Sequence, residues 1–429
     1  MTDNENGINL IKLNHEFVPD GSRVITRYFY PGNNHERAAR IMERICSLAE
    51  KKVEELLSDT LTLFSIRHRN IKKVFYEHYE TASVSAGIKK NLTENKKLLI
   101  GAYFTMEYSV ASAALFNPSI VAHPDQRDLE DGDLRFIQSF RAVGEGHISS
   151  ILFGEGVLKQ NGTMSIKKKS LFLDKGEISH ISNAAYDMEF NDDSEISSRI
   201  IFPVVDNERM GIEDARFVRF VDKSPVNNEK YTYYATYTAY NGTEIFPKLI
   251  ETVNFKKFRI SLLRGEGAQN KGMALFPEKI NGQYAMISRQ DNENLFIMYS
   301  DDIYRWRNPQ QLRTPEAPWE FVQIGNCGSP IKTDHGWLLL THGVGAVRRY
   351  CMGAVLLDYD DPSRVTAYLA MPFLWPDERE RNGYVPNVVY SSGGIIHRGK
   401  LIVPYAVSDT SSKIAILPLD KLIGGMVKN

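Results

Sequence analysis

Gly211-Ile212-Glu213-Asp214-Ala215-Arg216 places two carboxylates and a guanidinium within six residues, between two strand-like segments. Charges at a strand end are costly to bury unless they serve one another or a polar ligand. Similar clusters end other apolar, aromatic-rich runs: Ser139-Phe140-Arg141, Tyr240-Asn241-Gly242, Arg289-Gln290-Asp291-Asn292-Glu293, Thr341-His342-Gly343 and Ser408-Asp409. Carboxylates, amides and arginines walled by aromatics form a site for a polyol, so these residues predict sugar chemistry. A carboxyl in a walled pocket is expected to have a raised pKa, which would suit Asp214 to donate a proton near neutral pH. A lone Glu-Asp pair reads as a solvated turn, but the flanking Gly211 and Arg216 and the other clusters argue against that here. Glu251, at the end of Lys248–Thr252, reads as an inward-facing carboxylate or as a rim residue, since Glu is disfavoured inside strands. His342 alone reads as a core histidine, and Arg141 either as delivered to a site by the strand Phe136–Arg141 or as a surface arginine.

Other chemistries are excluded. There is no HExxH, no Walker-type lysine loop and no nucleophile elbow, and no helix pattern follows Gly144 and Gly146. Cys46, Cys327 and Cys351 match no zinc spacing and read as free thiols of a reducing compartment. No metal or organic cofactor is called for. The 429 residues carry 52 Lys and Arg against 53 Asp and Glu, a net charge of −1, with the signs interspersed. That lacks the positive field of a nucleic-acid binder. The N-terminus, Met-Thr-Asp-Asn-Glu-Asn-Gly, has no signal-peptide pattern, and no apolar run reaches the roughly 20 residues of a membrane span. The expectation is a cytoplasmic protein with neither nucleic-acid nor membrane partners.

These clusters need a scaffold. Residues 1–115 read as a helical extension. Asn33-Asn34-His35-Glu36 resembles a capping box, and Ile41, Ile45, Leu48, Val53, Leu56 and Leu57 follow at helical steps. A second pattern runs through Ile71, Val74, Phe75 and His78. A third starts near Asn95 and is expected to stop at Asn117-Pro118. The apolar helical face could cover the strand domain or form a subunit contact in a homo-oligomer. Over residues 116–429, short runs rich in Val, Ile, Tyr and Phe alternate with Asp, Asn and Gly turns, as in Leu134–Arg141, Tyr231–Ala239 and Trp337–Thr341. Related turns at Val253–Phe258, Ser300–Trp306 and Asp358–Pro362 suggest blades of about 40–50 residues, hence about five to seven of them. The predicted class is all-β and closed.

Glu213-Asp214-Ala215-Arg216 resembles the Glu-Asp-Pro-Arg motif of glycoside hydrolase family 130, the mannoside phosphorylases and mannosidases. Phe136–Ala142, Tyr237–Gly242, Leu275–Ile280, Ser329–Thr333, Thr341–Val344 and Tyr405–Asp409 are similar to that family in the same order. The resemblance implies a five-bladed β-propeller acting on β-mannosides. It implies that Asp214 is the general acid, acting through a hydroxyl of the bound mannose. By the same resemblance Arg141, Tyr240, Asn241 and Asp409 hold the mannose or line its pocket. Asn117, Arg216, Lys271, Arg289, Asp291, His342 and Tyr384 complete the candidate substrate-binding set. Ala215 departs from the usual proline without removing a functional group.

Lys271-Gly272 stands where the family's phosphorylases have an Arg-Asn pair that helps hold phosphate. Glu251 and Glu293 resemble the paired glutamates of its hydrolytic β-1,2-mannosidases. Two carboxylates repel a phosphate dianion but can polarise water. The expectation is therefore an inverting, exo-acting β-mannosidase on β-1,2-linked manno-oligosaccharides, with Asp214 as acid and Glu251 and Glu293 sharing the base role. Phosphorolysis yielding mannose 1-phosphate is the alternative that Lys271 and Lys332 keep open. A catalytically silent glycan-binding propeller is the second.

Overall fold

The computed structural model describes residues 8–32, 35–86, 91–222 and 230–429. The polar N-terminal residues 1–7 and Asn33-Asn34 of the capping-box pattern lie outside the described residues. Contacts divide the chain into two compact units.

One unit comprises Gly21–Val110 with Ser170–Asp174. It holds helices α1 (His35–Cys46), α2 (Glu50–Phe64), α3 (Ile71–Ala86) and α4 (Glu94–Tyr103), and an antiparallel pair, Val24–Tyr28 with Thr105–Ser109. The helical periodicity buries Ala38, Met42, Ile45, Val53, Leu57, Ala82, Leu99 and Ile100 in one core. Thr93 starts α4 by accepting a hydrogen bond from the Lys96 amide. The expected third helix is shorter than its sequence pattern, because the chain turns into a strand at Thr105. Asn117-Pro118 is no helix stop. It sits inside the strand Ala114–Ala122, where a bulge between Phe116 and Ser119 breaks the ladder and a residue without an N–H is tolerated.

The other unit comprises residues 1–20, 111–169 and 175–429. Its described strands form five antiparallel sheets, named here in chain order. The first is built on Ala114–Ala122, Leu134–Val143 and Ser149–Leu158, the second on Ile212–Asp222, Lys230–Tyr240, Ile245–Thr252 and Lys257–Leu262. The third is Ala274–Leu275, Tyr284–Ser288, Leu295–Ser300 and Gln310–Arg313. Gln323–Asn326, Gly336–Val344, Tyr350–Leu357 and Val365–Tyr368 lead the fourth; Val389–Tyr390, Lys400–Val407 and Ser411–Pro418 lead the fifth. The N-terminal strand Ile11–Lys12 pairs with Ser411–Pro418, and Val427–Lys428 with Val365–Tyr368. The class of this unit is all-β, and that of the other unit is mainly helical.

Cores fill the spaces between successive sheets. Phe153, Phe217, Tyr233, Phe255 and Phe258 lie between the first and second, Phe220, Leu249, Met286 and Met298 between the second and third. Phe116 of the first sheet shares a core with Leu338 and Leu340 of the fourth and Leu401 and Val403 of the fifth. Burying each such side chain contributes about 1.5–3 kcal/mol. Hydrogen bonds also pass between sheets. The Phe217 amide donates to Ser119 Oγ (3.2 Å), Val221 to the Pro277 carbonyl (2.8 Å), Ile324 to Glu293 (2.9 Å), Tyr350 to Asn387 (3.0 Å) and Ser392 to Pro118 (2.8 Å). In each sheet, the hairpin between second and third strands falls at the end where Asp214 lies: residues 144–148, 241–244, 289–294, 345–349 and 408–410.

Candidate active site

Asp214 owes its position to a β-bulge. The register of Ile212–Asp222 against Lys230–Tyr240 slips between Glu213 and Arg216, and Asp214 takes φ 54°. Asn117 does the same in the first sheet, with φ 46° at its own bulge. Asn and Asp tolerate this left-handed conformation better than most residues. Upstream, Gly211 has φ 121°, and a Cβ there would lie 2.5 Å from Ser149 Oγ, so only glycine lets the two sheets meet.

The side chains form a charged cluster. Asn117 Nδ2 donates to Asp214 Oδ1 at 2.7 Å, and the Arg141 guanidinium lies 3.6 Å from the same oxygen. Arg141 also donates to Glu213 at 2.8 Å, and Lys271 to the other Glu213 oxygen at 2.6 Å. Arg141 stacks over Phe116 with 5.1 Å to the ring centroid. Arg216 is 3 % exposed; it donates to the Asp214 carbonyl (3.1 Å) and to Tyr390 Oη (2.6 Å). Arg289 Nη1 lies 3.3 Å from His342 Nε2. His342 is sandwiched, its ring stacked on Tyr350 at 5.8 Å and edge-on to Tyr390 at 5.1 Å.

Arg216 and Arg289 have no carboxylate partner among the described residues, and the Nε–H of each is buried without an acceptor. The Asn326 Oδ1 is likewise buried without a partner, and Gly272 faces both Asn326 and Arg289. Burial chiefly, and then the two cations Arg289 and Arg216, push His342 well below the usual imidazole range, so it is neutral. Burial pushes the Tyr390 phenol up to about 12, which keeps it protonated.

The expected raised pKa of Asp214 is corrected by its surroundings. Burial would raise it, but Arg141, Arg216, the Asn117 amide and Lys271 outweigh burial and hold the carboxyl below the usual range. The carboxyl that is raised is Asp409. Burial and the neighbouring Asp214 push it to about 6, against the pull of Arg141 and Arg348.

Asn117, Arg141, Asp214, Arg216, Lys271, Arg289, His342 and Asp409 are thus linked by contact or field. Tyr240 and Asn241 lie at the same sheet end, since the Tyr240 amide donates to Gly211. Tyr240 Oη is spent on the Gly242 carbonyl, and Asn241 Oδ1 accepts from Thr243 and Glu244. Asp291 caps its own hairpin through the amides of Glu293 and Asn294. Tyr384 is exposed, with Oη 3.3 Å from His147. Glu251 is not brought to the cluster. It pairs in register with Tyr234, four residues down the strand from the partner of Glu213, or about 13 Å at 3.3 Å per residue. There it accepts from Tyr304 Oη at 3.2 Å. Glu293 is exposed in the third hairpin. Lys332 is bound to Glu278 at 2.7 Å, over Trp337 and Tyr359. Tyr390 and Asn326 were missed in the sequence. Their signal is the same in both cases, a polar residue ending a short apolar strand before small residues, Ser-Ser-Gly-Gly and Cys-Gly-Ser.

Residues 178–428 match the family profile described as β-1,4-mannooligosaccharide phosphorylase of glycoside hydrolase family 130. The chain belongs to glycoside hydrolase family 130. Among relatives, it is 41 % identical over 152 residues to a 1,2-β-oligomannan phosphorylase of Thermoanaerobacter sp. (strain X514), covering 35 % of this chain and 51 % of that protein. It is 36 % identical over 226 residues to a β-1,2-mannobiose phosphorylase of the same organism, covering 51 % of this chain and 70 % of the relative. The chain therefore spans about half the length of the first relative. The solved β-1,2-mannobiose phosphorylase of Listeria innocua, in complex with β-1,2-mannobiose, shares the fold with a TM-score of 0.54. That match has 21 % identity and covers 74 % of this chain and 92 % of the other. These names overturn the expected hydrolysis, because the family 130 relatives that share 31–41 % of their residues with this chain over the matched stretches are phosphorylases. The physical reason is visible in the site. Glu251, one of the two glutamates invoked to activate water, lies about four residues down its strand from the cluster, whereas two arginines without carboxylate partners among the described residues are in it.

Proposed function

We propose that this protein is an inverting β-mannoside phosphorylase, which cleaves a terminal β-1,2-linked mannose with inorganic phosphate to give α-mannose 1-phosphate. The observation that carries this reading is the pair Arg216 and Arg289, each with a buried, unpartnered Nε–H, beside neutral His342. Like charges held together out of water call for an anion, and a phosphate offers oxygens to both guanidiniums. The β-1,2 linkage rests on the names of the first relatives.

In this reading Arg141, Asn117 and Asp409 bind the mannose and Asp214 supplies the proton, through a sugar hydroxyl. Asp214 is held ionised by Arg141, Arg216 and Lys271. A phosphate on Arg216 and Arg289 offsets part of that positive field, so Asp214 gains proton affinity when the nucleophile is bound. Lys271 and Asn326 take over the surroundings of the Arg-Asn pair that the sequence lacks, with Arg289 in contact with the space over Gly272. We also assign the five sheets to a closed five-bladed propeller. Support comes from the hydrogen bonds handed from sheet to sheet, ending with Ser392 back to Pro118, and from the N-terminal strand completing the fifth sheet.

The test is incubation with β-1,2-mannobiose and with β-1,4-mannobiose, with and without phosphate. Phosphate-dependent consumption of the β-1,2 disaccharide with formation of mannose 1-phosphate is expected. Consumption at the same rate without phosphate would overturn the reading.

A further inference from the structure

Two glutamates outside the charged cluster are more deeply buried than any residue in it. Glu208 and Glu380 are each 0 % exposed. Glu208 Oε1 accepts from Tyr237 Oη (2.6 Å) and Lys248 Nζ (2.7 Å), Tyr186 Oη lies 3.2 Å from both oxygens, and Oε2 accepts from the Val204 amide (3.0 Å). Glu380 Oε1 accepts from Tyr405 Oη (2.8 Å) and Lys413 Nζ (3.4 Å), and Oε2 from Lys12 Nζ (2.5 Å).

The two arrangements are repeats. Tyr237 and Lys248 are cross-strand partners in the second sheet, and Tyr405 and Lys413 are cross-strand partners in the fifth. A second donor comes from an outer strand each time, Tyr186 or Lys12, and a lysine lies over a tyrosine ring in both (Lys248 on Tyr186, 5.6 Å; Lys12 on Tyr405, 6.0 Å). The sequence carries the echo as Tyr237-Thr-Ala-Tyr240-Asn241 and Tyr405-Ala-Val-Ser408-Asp409.

Each glutamate's own carbonyl is tied to the site. The Glu208 carbonyl accepts from the Gly211 amide (2.6 Å); Met210 then donates to Tyr240 (3.0 Å) and Tyr240 to Gly211 (3.1 Å). The Glu380 carbonyl accepts from Ser408 Oγ (2.6 Å), next to Asp409. A buried ion pair is seldom worth its desolvation as a source of stability alone, since apolar residues of similar volume do as well. A fixed acceptor bonded from three directions does something apolar packing does not, which is to set the backbone that follows.

We propose that Glu208 and Glu380 are positioning residues, a duplicated clamp in which a cross-strand Tyr-Lys pair fixes a buried glutamate and, through its main chain, Gly211–Asp214 in one sheet and Ser408–Asp409 in the other. The consequence for turnover rests on the phosphorylase reading; the structural consequence does not. Tyr237→Phe and Tyr405→Phe each delete one hydroxyl with little change of volume, and Glu208→Gln/Lys248→Met removes the charge pair together. Hydrogen–deuterium exchange of the whole protein should become faster in residues 209–216 and 238–242 for Tyr237→Phe, and in 381–387 and 407–411 for Tyr405→Phe, with the other sheets unchanged. Phosphorolysis should lose about 10- to 100-fold in kcat, with a smaller change in KM and near-native thermal unfolding, as displaced catalytic groups cost that much. Unchanged local exchange in the Tyr→Phe variants overturns the clamp whatever reaction the enzyme performs. So does a folded Glu208→Gln/Lys248→Met variant with wild-type kcat, or a kcat loss matched by a general loss of protection. Altered local exchange in the variants, together with a wild-type enzyme that ignores phosphate, would refute the phosphorylase reading and leave the clamp standing. Should the double variant fail to fold, the two phenylalanine variants decide alone.

Discussion

Asn117 Nδ2 and Asp214 Oδ1 meet at 2.7 Å across two adjacent sheets, each residue lifted out of its strand by a bulge. The hydrogen bond helps keep Asp214 ionised in the free enzyme. Asn117→Gly keeps the left-handed backbone and deletes the amide. It should lower kcat/KM for mannoside phosphorolysis about tenfold or more, in line with loss of a hydrogen bond to a charged group. Steady-state kinetics check this, and an unchanged kcat/KM would count against a role for the contact.

Asp214→Asn removes the only proton donor the account assigns. The fold should persist, because Asn tolerates the same positive φ. The rate should fall by about 10²–10⁴-fold, the usual value of general acid catalysis. Near-native turnover in a folded variant would remove Asp214 from the mechanism.

Arg289→Ala separates the two substrates. The KM for phosphate should rise by at least about tenfold, the scale of one charge-assisted hydrogen bond. The KM for the mannoside should move little. Glu251→Gln makes the opposite control, and kcat should stay within about twofold, as for changes away from a site.

Asp409 gives a pH signature. Its folded pKa of about 6 lies above the value of about 3.9 for an unfolded Asp, so between these values the native state holds a proton that the unfolded chain has released. The stabilisation from that proton is complete below about pH 4 and lost as pH rises through about 6. The stability of Asp409→Asn relative to wild type should therefore climb across this window and level off above it. Denaturant unfolding at several pH values measures it; a flat difference would contradict the assignment.

In the helical unit, a Cβ on Gly101 would lie 1.7 Å from the Phe75 carbonyl oxygen, backbone against backbone. Gly101→Ala should destabilise the packing of α3 on α4 by about 1–3 kcal/mol or more, the range for overfilling a packed contact. Thermal unfolding followed by circular dichroism at 222 nm reads the loss.

The sequence was most informative where charge was dense. Glu213-Asp214-Ala215-Arg216 could be singled out because no buried strand end carries such a load without use, and the strand-rich texture after the helices follows from alternation and turn residues. It was least informative where strand direction decides the outcome. Glu251 lies seven residues beyond Glu244 of its hairpin and so reaches the opposite end of the sheet, a fact of register rather than composition. Asn117-Pro118 reads as a helix stop locally and becomes a bulge only when a partner strand is present. The depressed pKa of Asp214 depends on Arg141, Arg216 and Lys271 converging from distant positions, which no local pattern encodes.

The most direct test of phosphorolysis is the stoichiometry of products from β-1,2-mannobiose, followed by phosphorus and proton NMR in phosphate buffer. The account predicts one α-mannose 1-phosphate and one mannose for each disaccharide consumed, with no turnover when phosphate is withheld. Two mannose molecules per disaccharide, formed at a rate indifferent to phosphate, would contradict it.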